Sequence, residues 1–292
     1  MFINIKYLVI TVISIFLALG IGILIGIQVD SQNIIFEQQE ITVQRMENKF
    51  DELNRLNQDL QDKVNQLSVS TDLKEQYIKN VFPDYIKNKL EDLHVVIFET
   101  TDDYTYTTMR QALKMAGCKV TSVTLVSERL IHMSEEEKND LMEYFETDKD
   151  IIPTILNRIV ETVTVSNQVE NIAYLIQKGI IYVSGDFASP ADYVVIAGGS
   201  SEKSDKHEII DIPIIREVKR HSLPIVGVET SNVAYSYIDY YKKEKLSTVD
   251  NVDSIIGQTS LVLVISGKEG HFGVKKTSHS LMPFLSEGDK NN

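Results

Sequence analysis

The sequence predicts an α/β fold: a three-layer α/β domain with a mostly parallel sheet, preceded by an N-terminal transmembrane helix and a long coiled-coil stalk. Three observations lead there. Leu8 to Ile27 is an uncharged apolar run, a seven-residue apolar repeat comes after it, and beyond residue 90 short apolar strands alternate with helical patterns. The expected organisation is a membrane anchor over 1–28, a stalk over 29–80, an extracytoplasmic domain over 90–286 and a disordered tail over 287–292.

The anchor rests on length and polarity. LVITVISIFLALGIGILIGI has only Thr11 and Ser14 as polar side chains, and at about 1.5 Å per residue it spans about 30 Å, the thickness of the bilayer's hydrocarbon. Ala18-Leu19-Gly20 resembles a cleavage site, but the apolar run continues to Ile27, so the segment reads as an uncleaved signal anchor. Lys6 and the free amino group lie on the short side, while Asp30 and Glu37 open the long side, with no basic residue before Arg45. That asymmetry keeps the N-terminus cytoplasmic and sends the C-terminal domain outside the cell membrane. Ala18, Gly22 and Gly26 recur every fourth residue, a small-residue face on which two helices can pack in lipid; the frequency of glycine in membrane helices accounts for it equally well.

The stalk is read from the heptad. Val29, Phe36, Val43, Phe50, Asn57 and Val64 occupy a positions, and Met46, Leu53, Leu60 and Leu67 occupy d positions. Gln32 and Gln39 stand at the first two d sites, so the seam is weak near the membrane and firm from Val43 to Leu67. Asn57 is an amide at an a position, satisfied best by its twin in a parallel homodimer. A single helix lying along its own domain is the competing arrangement.

In the globular region, turn residues at Val81-Phe82-Pro83-Asp84 end the helical pattern, and Leu93 to Phe98 reads as a buried strand. A helix from Asp103 to Ala116 closes at Gly117, a strand covers Lys119 to Val126, and Ser134 caps a helix opening with three glutamates. Ile151 to Lys178 keeps mostly helical spacing up to Gly179 and reads as one long amphipathic helix. Asp192 to Ala197 is the third strand, Ile210 to His221 a helix, and Pro224 to Val228 a strand. Ile255 to Ser266 suits either a strand or a buried helix.

Composition narrows the function. With 42 acidic against 29 basic residues the net charge is -13, which repels phosphate backbones and argues against nucleic acid as a partner. Cys118 is the single cysteine, so neither an intrachain disulfide nor a zinc-finger ligand set can form.

The two ends of the chain carry a family resemblance. INIKYLVITVISIFLALGIGILIG resembles the opening of the MctB family, and VDNVDSIIGQTSLVLVISGKEGHFGVKKTSHSLMPFL resembles its closing signature, including Gly257-Gln258, Gly267, Gly270 to Lys275 and Pro283. The resemblance implies an Ala-rich stretch in relatives where this chain has Thr259 to Ile265, and so an expectation of helix there. It implies copper transport and copper homeostasis, and thus a copper ion as cofactor or cargo. It also implies a pore proposed for mycobacterial members, which transfers poorly: one apolar helix has neither the alternating strands nor the aromatic girdles of an outer-membrane barrel, and a lone helix encloses no pore.

Copper(I) favours sulfur and imidazole ligands. The sequence offers Met109, Met115, Cys118, His132, Met133 and His271, without Met-x-x-Met, Cys-x-x-Cys or His-x-His clustering, and core packing accounts better for the methionines. Two glycine loops are candidate ligand sites. Gly198-Gly199-Ser200 comes after a strand, where open α/β sheets bind ligands, and Gly267, Gly270 and Gly273 flank His271 in the other. The first lacks a complete dinucleotide pattern, and the pair Asp250 and Asp253 has no obvious basic or metal partner. No Walker A, nucleophile elbow or HExxH motif occurs, so a non-enzymatic protein is expected. The alternatives are an envelope scaffold binding another envelope protein through its stalk, and a sugar- or nucleotide-binding enzyme using the Gly198 crevice.

Overall fold

The structure is a computed structural model that describes residues 5–165, 169–185 and 189–283; the side chains of 29–38 and Val165 are outside that description. The tail expected over 287–292 lies outside the described residues, as do the side chains of the heptad positions Val29, Gln32 and Phe36. The chain divides into two compact units, Met1–Lys74 and Glu75–Asn292, and helix α1 (Ile5–Ile86) runs through that boundary.

In the first unit, Ile5–Gln28 is long and apolar enough to cross a membrane, with a mean hydropathy of 2.9. Its two polar side chains are satisfied within the helix: Thr11 donates to the Tyr7 carbonyl at 2.8 Å and Ser14 to the Ile10 carbonyl at 2.9 Å. Neither hydroxyl therefore needs water, as a hydrocarbon surrounding demands. Further along, the heptad side chains from Val43 to Leu67 are exposed in the single chain.

The second unit begins with the end of α1. The expected stop at Val81 to Asp84 is corrected: the helix passes through Pro83 to Ile86. Pro83 forfeits one backbone hydrogen bond, but Phe82 and Ile86 are buried, and the Lys87 amide donates to the Pro83 carbonyl at 3.1 Å to close the turn. Burial of those two side chains outweighs the missing bond.

Seven strands form one sheet: β1 (His94–Glu99), β2 (Lys119–Val126), β3 (Ile181–Gly185), β4 (Tyr193–Ala197), β5 (Ile225–Val228), β6 (Ser247–Val249) and β7 (His271–Phe272). Their order is β3-β2-β1-β4-β5-β6-β7. Every pairing is parallel except β2 with β3. The α/β class and mostly parallel sheet are thus as the sequence indicates. β3, β6 and β7 are additions: β3 is half exposed at a sheet edge, and the other two span only three and two residues, too short for a periodicity to declare itself.

Helices are α2 (Thr107–Met115), α3 (Glu135–Tyr144), α4 (Ile151–Val165), α5 (Val169–Gln177), α6 (Ile212–Arg220), α7 (Ile238–Lys243) and α8 (Ile255–Ile265). α2 starts four residues later than expected because Asp103 accepts the Ser201 amide at 2.8 Å and holds residues 103–106 as a loop. Ser134 caps α3 in a complete capping box with Glu137. The pattern read as one helix over 151–178 is described as α4 and α5, with 166–168 outside the described residues. A π-helical turn, His207–Asp211, leads into α6. The ambiguous segment is helix α8, buried from Gly257 to Ile265, as suits a helix apolar all round.

Alternation along β1 and β4 makes three layers. Val95, Ile97, Val195 and Ala197 pack with the end of α1, α2 and α8 on one face. Val96, Phe98, Val194 and Ile196 pack with α3 to α7 on the other.

Candidate functional site

From β1 the chain moves outward to β2 and β3, then returns to β4 on the opposite side of β1. The carboxyl ends of β1 and β4 therefore flank a topological switch point, where open α/β sheets gather their functional groups. Glu99 to Thr101 lie at the end of β1 there, Gly198-Gly199-Ser200 after β4, Glu229 after β5 and Asp250 after β6.

Four buried carboxylates crowd this edge. Asp211 Oδ1 accepts from Thr100 Oγ1 at 2.9 Å and from the Tyr241 hydroxyl, while Oδ2 has no hydrogen-bond partner. Burial pushes Asp211 up to about 7, against the lowering effect of those two donors. Glu229 accepts from Ser236 Oγ at 2.7 Å, from the Tyr237 amide and from Lys275 Nζ at 2.6 Å. Burial raises its pKa, and Lys275 opposes the rise. Glu99 lies 3.6 Å from Arg110 and is likewise raised by burial and lowered by its arginine. Asp250 accepts the Val274 amide at 2.8 Å, the Lys275 amide at 3.1 Å and Ser278 Oγ at 2.5 Å.

The glycine loops are built into this edge. A Cβ on Gly198 would stand 2.0 Å from the Tyr241 hydroxyl and 2.6 Å from Asp211 Oδ1, and one on Gly273 would stand 2.0 Å from Asp250 Oδ1. Both residues are glycine because the polar cluster occupies the space a side chain needs. The Tyr106 hydroxyl donates to the Gly198 carbonyl at 2.7 Å, and Ser200 exchanges backbone hydrogen bonds with Tyr235. Gly267 stands apart, ending α8: its amide donates to the Val264 carbonyl and that of Lys268 to Leu263. The arrangement can hold a proton on Asp211 near neutral pH, and it fills the switch point with the chain's own side chains.

The sulfur candidates are dispersed. Met109 and Cys118 belong to the core on one face of the sheet and Met133 to the core on the other. Met115 and His132 are exposed. The Cys118 thiol donates to the Leu113 carbonyl at 3.2 Å, and burial pushes its pKa up to about 12, away from the thiolate a metal requires. His271 is half-buried on β7 with Nδ1 3.1 Å from Thr248 Oγ1. Its ring is paired with that of His279, a histidine that no sequence motif singles out. Asp102, Asp103 and Glu128 gather their carboxylates within 4.8 Å, but they offer hard oxygen donors, and Glu128 is paired with Lys206.

Sequence reasoning also misses Asp211, Glu229, Glu99 and Tyr241. A signal for two of them is present: an acidic residue closes or directly succeeds a buried strand at Glu99 and at Glu229. The pair Asp250 and Asp253 is held by amides and hydroxyls, and no ion pair to either carboxylate is found among the described residues. For Asp250 they are the two amides and the hydroxyl given above, and Asp253 accepts the Ser231 amide at 2.7 Å and its hydroxyl at 2.6 Å.

Residues 2–283 match the family described as copper transport outer membrane protein, MctB. The chain belongs to that family. No curated protein matches it.

Proposed function

We propose that this member of the copper transport family is a single-pass membrane protein. Its N-terminus lies in the cytoplasm, its α/β domain faces outward, and it forms a parallel homodimer through the stalk. It serves copper homeostasis without catalysing a reaction. The observation that carries the reading is the apolar stripe of α1, where Met46, Phe50, Leu53, Val64 and Leu67 are each more than 60 % exposed in one chain. Left in water, such a repeat loses about 25 cal/mol for each Å² of apolar surface that a second helix could cover. Asn57 at an a position favours two parallel strands.

The span Ile5–Gln28 supplies the lipid contact, and Lys6 before it, with no basic residue after it until Arg45, favours export of the α/β domain beyond it. The described sheet is open, with β3 and β7 at its edges; a pore through the bilayer therefore requires several copies of the anchor. Deleting the gene and measuring cell-associated copper under copper load tests the function. Raised copper, restored by the full chain, supports the reading, and unchanged copper refutes it.

A further inference from the structure

We propose that His271 and His279 form a two-imidazole site for copper(I), a reading that rests on the copper function above and adds its ligands. The two rings lie with centroids 4.9 Å apart at an interplanar angle of 82°. Their backbones are tied together: the His279 amide donates to the His271 carbonyl at 2.9 Å, the next residues pair as the bridge Phe272 to Ser280, and Gly273 donates to the Ser280 carbonyl at 3.0 Å. Lys242 Nζ donates to the Thr277 carbonyl at 2.6 Å and fixes the loop that leads back to His279. The two backbones are thus held together at the sheet edge, which keeps the two rings side by side.

The orientation of His271 is also set. Thr248 Oγ1, on a fully buried residue of β6, lies 3.1 Å from Nδ1, which leaves Nε2 for a metal. An oxygen partner on the second ring nitrogen is what orients a ligating histidine. Copper(I) is a d¹⁰ ion of low coordination number that two imidazoles can hold, and rotation of the exposed His279 ring opens the 4.9 Å separation to the wider spacing that ligation on opposite sides of the ion needs. A structural zinc ion takes four protein ligands. The site is half-exposed at His271 and exposed at His279, so an ion can enter and leave, as cargo must.

The test uses the full chain in detergent micelles, titrated anaerobically with copper(I) against a chromophoric copper(I) chelator. One copper(I) per chain is expected. His271→Asn and His279→Asn each weaken binding about 10-fold or more, Thr248→Val weakens it about 10-fold, and Met115→Leu leaves it unchanged. His279 is exposed, so its substitution spares the fold. Wild-type affinity in both histidine variants, or no copper(I) bound by the wild-type chain, overturns the site. The functional reading fails on a different readout: copper levels unchanged on deletion refute it whatever the titration shows, whereas raised copper with unaffected histidine variants removes only the site.

Discussion

The Tyr241 hydroxyl donates its hydrogen bond to Asp211 Oδ1, and neither side chain has exposed surface. Burial wins over the two donors and raises the Asp211 pKa from 3.8 to about 7. A carboxyl whose folded pKa is raised contributes stability that is complete below its unfolded value and is lost as pH rises through the folded one. The protein should therefore lose stability between about pH 4 and pH 7. Asp211→Asn, which mimics the neutral acid, should flatten that part of a melting-temperature profile. Tyr241→Phe should cost about 1 to 3 kcal/mol, because it takes a donor from a buried carboxyl.

A second prediction concerns Glu229 and Lys275, paired at 2.6 Å with Glu229 fully buried. Lys275→Met leaves that carboxylate without its cation and should destabilise the domain by about 3 to 5 kcal/mol. Adding Glu229→Gln should recover much of the loss. Denaturant midpoints of the wild-type chain, the two single variants and the double variant give the coupling directly.

Capping offers a smaller effect. Ser134→Ala removes the acceptor for the Glu137 amide, 3.2 Å away, and should cost about 1 kcal/mol. A drop well beyond about 2 kcal/mol in a melting experiment would mean that Ser134 does more than cap α3.

Much of the fold is legible in the sequence. The apolar start of α1 is legible because its run is uncharged for the length of a bilayer span, and β1, β2, β4 and β5 are legible because burial of a strand leaves a run or an alternation of apolar residues. Pro83 misleads because local propensity registers the lost hydrogen bond but not the burial of Phe82 and Ile86. The polar cluster is invisible for a different reason: Thr100, Asp211 and Tyr241 lie far apart in the chain and meet only when β4 returns beside β1. The same holds for His271 and Thr248, which become neighbours through the pairing of β6 with β7. The glycine loops are visible as positions, but only the approach of Tyr241 and Asp250 explains why Gly198 and Gly273 lack side chains.

Topology gives a further expectation. A cysteine at the exposed Lys276, in a Cys118→Ser background, should react with a membrane-impermeant maleimide in intact protoplasts. Reaction only after lysis would place the domain in the cytoplasm.

Disulfide cross-linking along the stalk tests pairing of the chains most directly. Cysteines placed singly at the a and d positions Asn57 and Leu60, again without Cys118, should give cross-linked dimers in native membranes, and cysteines at the outward positions Arg55 and Asp62 should not. Equal cross-linking at all four positions, or none at any, would contradict a parallel coiled-coil dimer.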